Sequence, residues 1–92
     1  MGFNKESAAE RAKSDLAKRL KIEAADIDEK SVSDKEFPDM SLGAPAVGEM
    51  SAQMIAYGWI IKLDANGKTY EYRADKYQIR LHNFEGENHV VV

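Results

Sequence analysis

Residues 57–74, YGWIIKLDANGKTYEYRA, decide the fold. Tyr57, Trp59, Ile61 and Leu63 alternate with Gly58, Ile60, Lys62 and Asp64, the period of a half-buried strand. Asn66-Gly67 follows and signals a type I′ turn, because both central residues need positive φ. Closing the chain around that turn pairs Leu63 with Tyr70, Ile61 with Tyr72 and Trp59 with Ala74, so all six side chains share one face. A second tight turn, read at Asp75-Lys76, starts a strand with Tyr77, Ile79 and Leu81, setting Ile79 opposite Tyr72 and Leu81 opposite Tyr70. Two independent turns then serve one apolar face. The other face carries Lys62, Thr69, Glu71, Arg73, Gln78 and Arg80, and the expectation there is a solvated surface with cross-strand charge pairs.

Working outward, residues 7–21 read as a helix. Ser7 and Glu10 have capping-box spacing. Ala9, Ala12, Leu16 and Leu20 form a narrow apolar stripe, widened by Ala8 and Ala17. Lys13, Lys18, Arg19 and Lys21 gather toward the C-terminal end, where positive charge suits the helix dipole. Such a helix needs a flat surface to lie on, with Ile22 packing back behind it. Residues 27–37 alternate poorly and predict an irregular edge strand with a bulge, whose charges guard it against pairing. Residues 38–50, PDMSLGAPAVGEM, hold both prolines and predict a turn-rich loop tied down by Leu42, Val47 and Met50. In residues 83–92, Phe84 plugs the core edge, and Val90 to Val92 form either a short strand or a loose end.

The fold class expected is α+β, with an N-terminal helix packed on a small, mainly antiparallel sheet of three to four strands. The 92 residues suffice for one domain. It spans 1–92, with residues 1–6 and also 86–92 as candidate loosely ordered ends.

Composition removes several classes of function. The chain has no cysteine, which excludes disulfide frameworks, iron–sulfur sites and thiol nucleophiles. It carries 13 basic and 16 acidic residues and a net charge of −3. Residues 1–50 hold 8 basic and 11 acidic residues, and residues 51–92 hold 5 of each. Neither half is basic, so no nucleic-acid partner is expected. No stretch approaches the ~20 apolar residues of a membrane span. The first residues are not a signal peptide, so the expected compartment is cytoplasmic, or an exported one if a leader has been removed.

Each candidate for chemistry has a plainer structural reading. His82 and His89, with Glu85 and Glu87, draw a weak metal site, but no compact ligand motif is present. Ser41 or Ser51 with His82 lacks a nucleophile elbow. Asp39 and Glu49 flank the loop as paired carboxylates, yet Asp39 after Pro38 reads as a turn cap. Residues 43–48, GAPAVG, lack the Lys-Ser/Thr of a phosphate loop. Arg73 and Arg80 face away from Tyr70 and Tyr72, which argues against a stacking platform. An exposed patch of Trp59, Tyr57 and Met54 competes with helical cover over Trp59. The loop is the best candidate for a protein partner, through Leu42, Gly43, Ala44, Pro45, Val47 and Met50.

Pro38-Asp39-Met40-Ser41-Leu42-Gly43-Ala44-Pro45, then Gln53, Gly58, Trp59, Ile61 and Leu63, then Gly67, Tyr70 and Tyr72, resemble a largely uncharacterised family of small bacterial and archaeal domains. The helix residues Ala12, Asp15, Leu16, Ala17 and Leu20 also fit, and the likeness covers roughly residues 8–82. The resemblance implies a small α+β domain, often in exported or envelope-associated proteins, with no catalytic residues to carry over. Ala44 stands where the family usually has cysteine, and His82 stands where relatives often have another. If those cysteines pair in relatives, this chain has lost the staple as a unit.

The expected function is therefore a noncatalytic small domain with a binding or accessory role. One alternative is a protease-inhibitor-like module presenting residues 42–48. A second is a small metal-binding protein or enzyme. No cofactor is expected, the expected partner is a protein, and the expected state is a monomer.

Overall fold

A computed structural model describes residues 2–92, and Met1 lies outside the described residues. Helix α1 (Lys5–Leu20) and a single 3-10 turn (Ala24–Asp26) precede five strands. These are β1 (Asp28–Phe37), β2 (Ala56–Ala65), β3 (Lys68–Asp75), β4 (Ile79–Phe84) and β5 (Glu87–Val90). They form one antiparallel meander in the order β1-β2-β3-β4-β5. The sheet thus has five strands and not three to four, because Asn83, Glu85 and Gly86 adopt positive φ and fold residues 87–90 back onto β4.

The β2–β3 hairpin has the expected register, with Leu63 opposite Tyr70, Ile61 opposite Tyr72 and Trp59 opposite Ala74. Asn66 (φ 53°) and Gly67 (φ 75°) make the turn. The next turn lies one residue later than expected, which shifts the β3–β4 register by two. Ile79 faces Ala74 and Leu81 faces Tyr72. The cause is Asp75, whose Oδ1 accepts the amides of Tyr77 and Gln78 at 2.7 and 2.9 Å. That cap makes Lys76-Tyr77 the turn and leaves Tyr77 exposed. A shift of two preserves the faces, so the core set survives the error.

The helix starts earlier than expected. Asn4 is its N-cap, and Ser7 at the third position completes the reciprocal bonds that the sequence suggested for Ser7 and Glu10. Lys21 takes a left-handed C-cap at φ 57°, and Ile22 donates to the Ala17 carbonyl at 3.0 Å. Ala8, Ala9, Ala12 and Leu16 pack on Ile61, Leu63, Tyr72, Ala74, Ile79 and Leu81 to form the main core. Alanine lets the helix backbone approach the sheet closely. Trp59 sits half-buried at the rim of this core, and Phe84 closes its other end against Tyr70 at 5.8 Å between ring centroids. The Tyr72 hydroxyl donates to Asp15 at 2.7 Å, and Asp15 also holds Arg19 at 2.7 Å. Burial first, then the Asp15 carboxylate, pushes the Tyr72 phenol well above its ordinary pKa. Strand β1 is the edge strand expected, with a bulge between Glu29 and Ser31.

Candidate functional site

The second sheet face is only in part the solvated surface that alternation suggested: Lys62 and Thr69 are exposed, but Arg80 is buried and Arg73 and Gln78 are half-buried. Residues 40–49 lie over that part and are held by polar side chains of β3, β4 and their turn. Arg73 Nη1 donates to the Leu42 and Gly43 carbonyls at 3.0 and 3.1 Å. Gln78 Nε2 donates to the Met40 carbonyl at 2.6 Å. Arg80 is 6% exposed. Its Nη1 donates to the Ala44 carbonyl at 3.2 Å and to Glu49 Oε1, its Nη2 to Glu49 Oε2 at 2.8 Å, and its Nε to Gln78 Oε1 at 2.7 Å. Fork-to-fork pairing of this kind fixes orientation as well as charge. Asn88 of β5 adds a bond from Nδ2 to the Pro45 carbonyl at 3.0 Å.

The loop also organises itself. Asp39 Oδ1 accepts the Ser41 amide, the Ser41 hydroxyl and the Gly43 amide. These bonds, the Ser41 hydroxyl first among them, hold the Asp39 carboxyl below its ordinary pKa. Glu49 is held down to about 2, first by Arg80 and then by the Ala46 amide. Leu42 drops between Phe37 and Ala56 to form a second small core, with Met40 and Ile60 at its margin. Leu42 (φ 58°) and Gly43 (φ 67°) are both left-handed, and a Cβ at position 43 would stand 2.6 Å from Arg73 Nη1.

The six predicted loop residues therefore divide. Leu42 and Ala44 are buried and Gly43 is half-buried, all with carbonyls held by arginine. Pro45 is exposed, Val47 is 90% exposed and Met50 is 96% exposed. The loop is anchored by Leu42 and by the sheet's arginines, and Val47 and Met50 take no part in holding it. An inhibitor segment needs extended, exposed backbone, which residues 42–44 do not have.

Met54, Ile55, Tyr57 and Tyr77 are exposed as well. Met40, Ile55, Tyr57 and Tyr77 line a groove of about 280 Å³. The sequence offered Met54 and Tyr57 as a patch. It missed Tyr77 because the turn was placed one residue early.

The other candidates fall apart in space or are occupied. Ser41 is buried and donates to Asp39. His89 packs edge-on against Phe84, at 5.9 Å between centroids. His82 pairs across the ladder with Glu71, and its buried Nδ1 has no hydrogen-bond partner. Among the described residues no three His, Asp or Glu side chains come together as a metal site. Asp39 and Glu49 both serve the loop. Arg73 and Arg80 stand on the face opposite Tyr72, as expected, but beneath the loop. A groove of about 570 Å³ opens where β4 turns away from β3, lined by Arg19, Tyr70, His82 and Phe84 among others. Arg19 lies over the Phe84 ring and Lys68 over the Tyr70 ring, at 5.8 and 5.6 Å. Nothing in the sequence marked this opening, which depends on the positive φ of Asn83.

These features define a small α+β domain with a helix on one sheet face and an arginine-clamped loop on the other. The chain belongs to the DUF8738 family, described as a domain of unknown function, whose match spans residues 9–82. No curated protein and no solved structure matches the chain. The matched span takes in most of the helix, the clamped loop and the clamping arginines, and ends before β5. No helix among the described residues is long and apolar enough to cross a membrane.

Proposed function

We propose that this chain is a noncatalytic binding domain that engages a protein partner through the exposed crest of its clamped loop. The crest comprises Val47, Met50, Met54, Ile55 and Tyr57, with Tyr77 beside them. One observation carries the reading. Met50 is 96% exposed on a segment whose base is held by Arg73 and Arg80. Ile55, Tyr57 and Tyr77 line one groove, and clustered exposed apolar groups of this kind mark recognition sites. A segment already pinned has little conformational entropy left to lose on binding. Methionine adds an adaptable surface.

The same reading takes the Pro38 to Pro45 segment as a structural signature of the family in its bacterial and archaeal members. Its Asp39, Ser41, Leu42 and Gly43 build the base, and the residues after Pro45 meet the partner. A photoreactive residue at position 50 tests this, with position 10 on the outer face of the helix as control. Expected is a discrete adduct from position 50 alone, lost when Tyr57 or Tyr77 becomes aspartate. Adducts that do not depend on position would overturn the proposal.

A further inference from the structure

The β3–β4 ladder stops at Glu71 and His82, although β3 begins at Lys68 and β4 runs on to Phe84. Continued pairing would set Tyr70 against Asn83 and Thr69 against Phe84. Instead Asn83 is left-handed (φ 51°), and its amide donates to Asn88 Oδ1 at 2.8 Å, within its own hairpin. The strands part, and the groove of about 570 Å³ opens in the gap. It lies at the other end of β3 from Tyr77, so it is distinct from the crest.

The cations on its walls have unused donors. Asp15 holds Arg19 through Nε at 2.7 Å, and the guanidinium lies 5.8 Å over the Phe84 ring. Among the described residues no protein acceptor takes its two terminal nitrogens, and the side chain is 26% exposed. Lys68 lies 5.6 Å over the Tyr70 ring and, among the described residues, meets no carboxylate. Lys68 shares the helix-side face of Tyr70 and Tyr72, so both cations flank the opening on that side. At the closed end, His82 Nδ1 is buried without a partner. Of the two carboxylates on the walls, Glu71 is held by Arg73 at 2.9 Å and Glu85 stands exposed on the turn. Tyr70, Phe84 and Leu20 add part-buried apolar surface.

We propose that this groove binds a small organic carboxylate, its charged end at Arg19 and Lys68 and its apolar body against Tyr70, Phe84 and Leu20. The unused donors of the two cations select an anion. A guanidinium already held through Nε offers its terminal nitrogens to a planar carboxylate with little further ordering. The apolar walls favour an acid with a body to bury, and the volume is common among small-molecule sites. A polar group of the ligand that reaches the closed end would also satisfy His82 Nδ1.

The test is titration of the full ¹⁵N-labelled chain with benzoate, hexanoate, benzamide and acetate at millimolar concentrations. Benzoate or hexanoate should give saturable shifts at the amides of Lys68, Tyr70 and Asn83 and at Arg19 Nε, and the tighter of the two tells an aromatic body from an aliphatic one. Benzamide lacks the charge and acetate lacks the body, so each should bind about tenfold more weakly or worse. Arg19→Met and Lys68→Met should each weaken binding of the preferred acid about fivefold or more, and Arg19→Lys should lose less than Arg19→Met. Circular dichroism confirms that the variants fold, and Lys68 is exposed, so its variant leaves the core untouched. Absence of saturable shifts with both acids overturns the proposal, as do shifts centred away from the groove. Benzamide or acetate binding as tightly as the acids overturns it too, as does either methionine variant binding as wild type does.

Discussion

Arg80 reaches across 31 positions of sequence to put both terminal nitrogens on the carboxylate of Glu49, with Nη2 and Oε2 2.8 Å apart. The guanidinium is buried and the carboxylate is not, its side chain being 28% exposed. The pair is therefore unequal. Taking away Glu49 strands a buried charge, with only the Ala44 carbonyl and Gln78 left to satisfy it. Glu49→Ala should lower stability by about 2 kcal/mol, less than for a fully buried pair because water reaches the site. Urea denaturation checks this, and a change below about 0.5 kcal/mol would show the clamp to be incidental.

The same carboxylate sets a pH dependence. Glu49 is depressed to about 2 in the folded chain, and Asp39 is depressed as well. Both are ordinary carboxylates near 4 when unfolded. Their contribution is thus complete above about pH 5 and is lost as pH falls from about 4 toward 2. The amide resonances of Ser41, Gly43 and Ala46 should shift in that window before those of the β2–β3 hairpin. Loop and hairpin moving together would place the sensitivity elsewhere.

Most of the fold was legible because strand alternation and turn chemistry agree between residues 57 and 74. The β3–β4 register was not, because Asp75 caps a turn one residue later than the dipeptide pattern implies. The covering loop was missed for a stronger reason. Alternation reports which residues share a face and says nothing about what lies on it. Arg73, Gln78 and Arg80 read as surface because charged side chains usually are, whereas here their donors meet loop carbonyls. The loop itself was identified, but its division was hidden. Leu42 turns inward because Asp39 winds the chain back on itself, and Val47 stays out between the Ala44 carbonyl and the Glu49 carboxylate that Arg80 holds, with Met50 just beyond.

Gly43 is the tightest point of that winding. Gly43→Ala would hold φ +67° at a steric cost and press its Cβ on Arg73 Nη1. A loss of about 1–2 kcal/mol is expected, with loosening confined to residues 39–50. Hydrogen exchange locates it, and unaltered protection in the loop would refute the assignment.

Gly58 should be less forgiving. A Cβ there would lie 2.0 Å from the Ala74 carbonyl oxygen, which is backbone in the neighbouring strand. Gly58→Ala should cost about 3 kcal/mol or more, since the strands must part to admit it. A thermal midpoint unchanged within about 2 °C would show that the sheet is spaced differently there.

On the helix side, Tyr72→Phe removes the donor to Asp15 and leaves that carboxylate to Arg19 alone. The expected loss is about 1 kcal/mol. A double-mutant cycle with Asp15→Ala should return a coupling of similar size, and independent losses would separate the two residues.

The central claim is that residues 40–46 form a rigid base clamped to the sheet, holding the Val47 to Tyr57 crest for a partner. Backbone ¹⁵N relaxation on the wild type and on Arg80→Met tests it most directly. The account predicts order parameters of about 0.85 for residues 41–46 in the wild type, like those of β2, with a fall confined to this loop in the variant. Values below about 0.6 in the wild type, unchanged by the substitution, would contradict it.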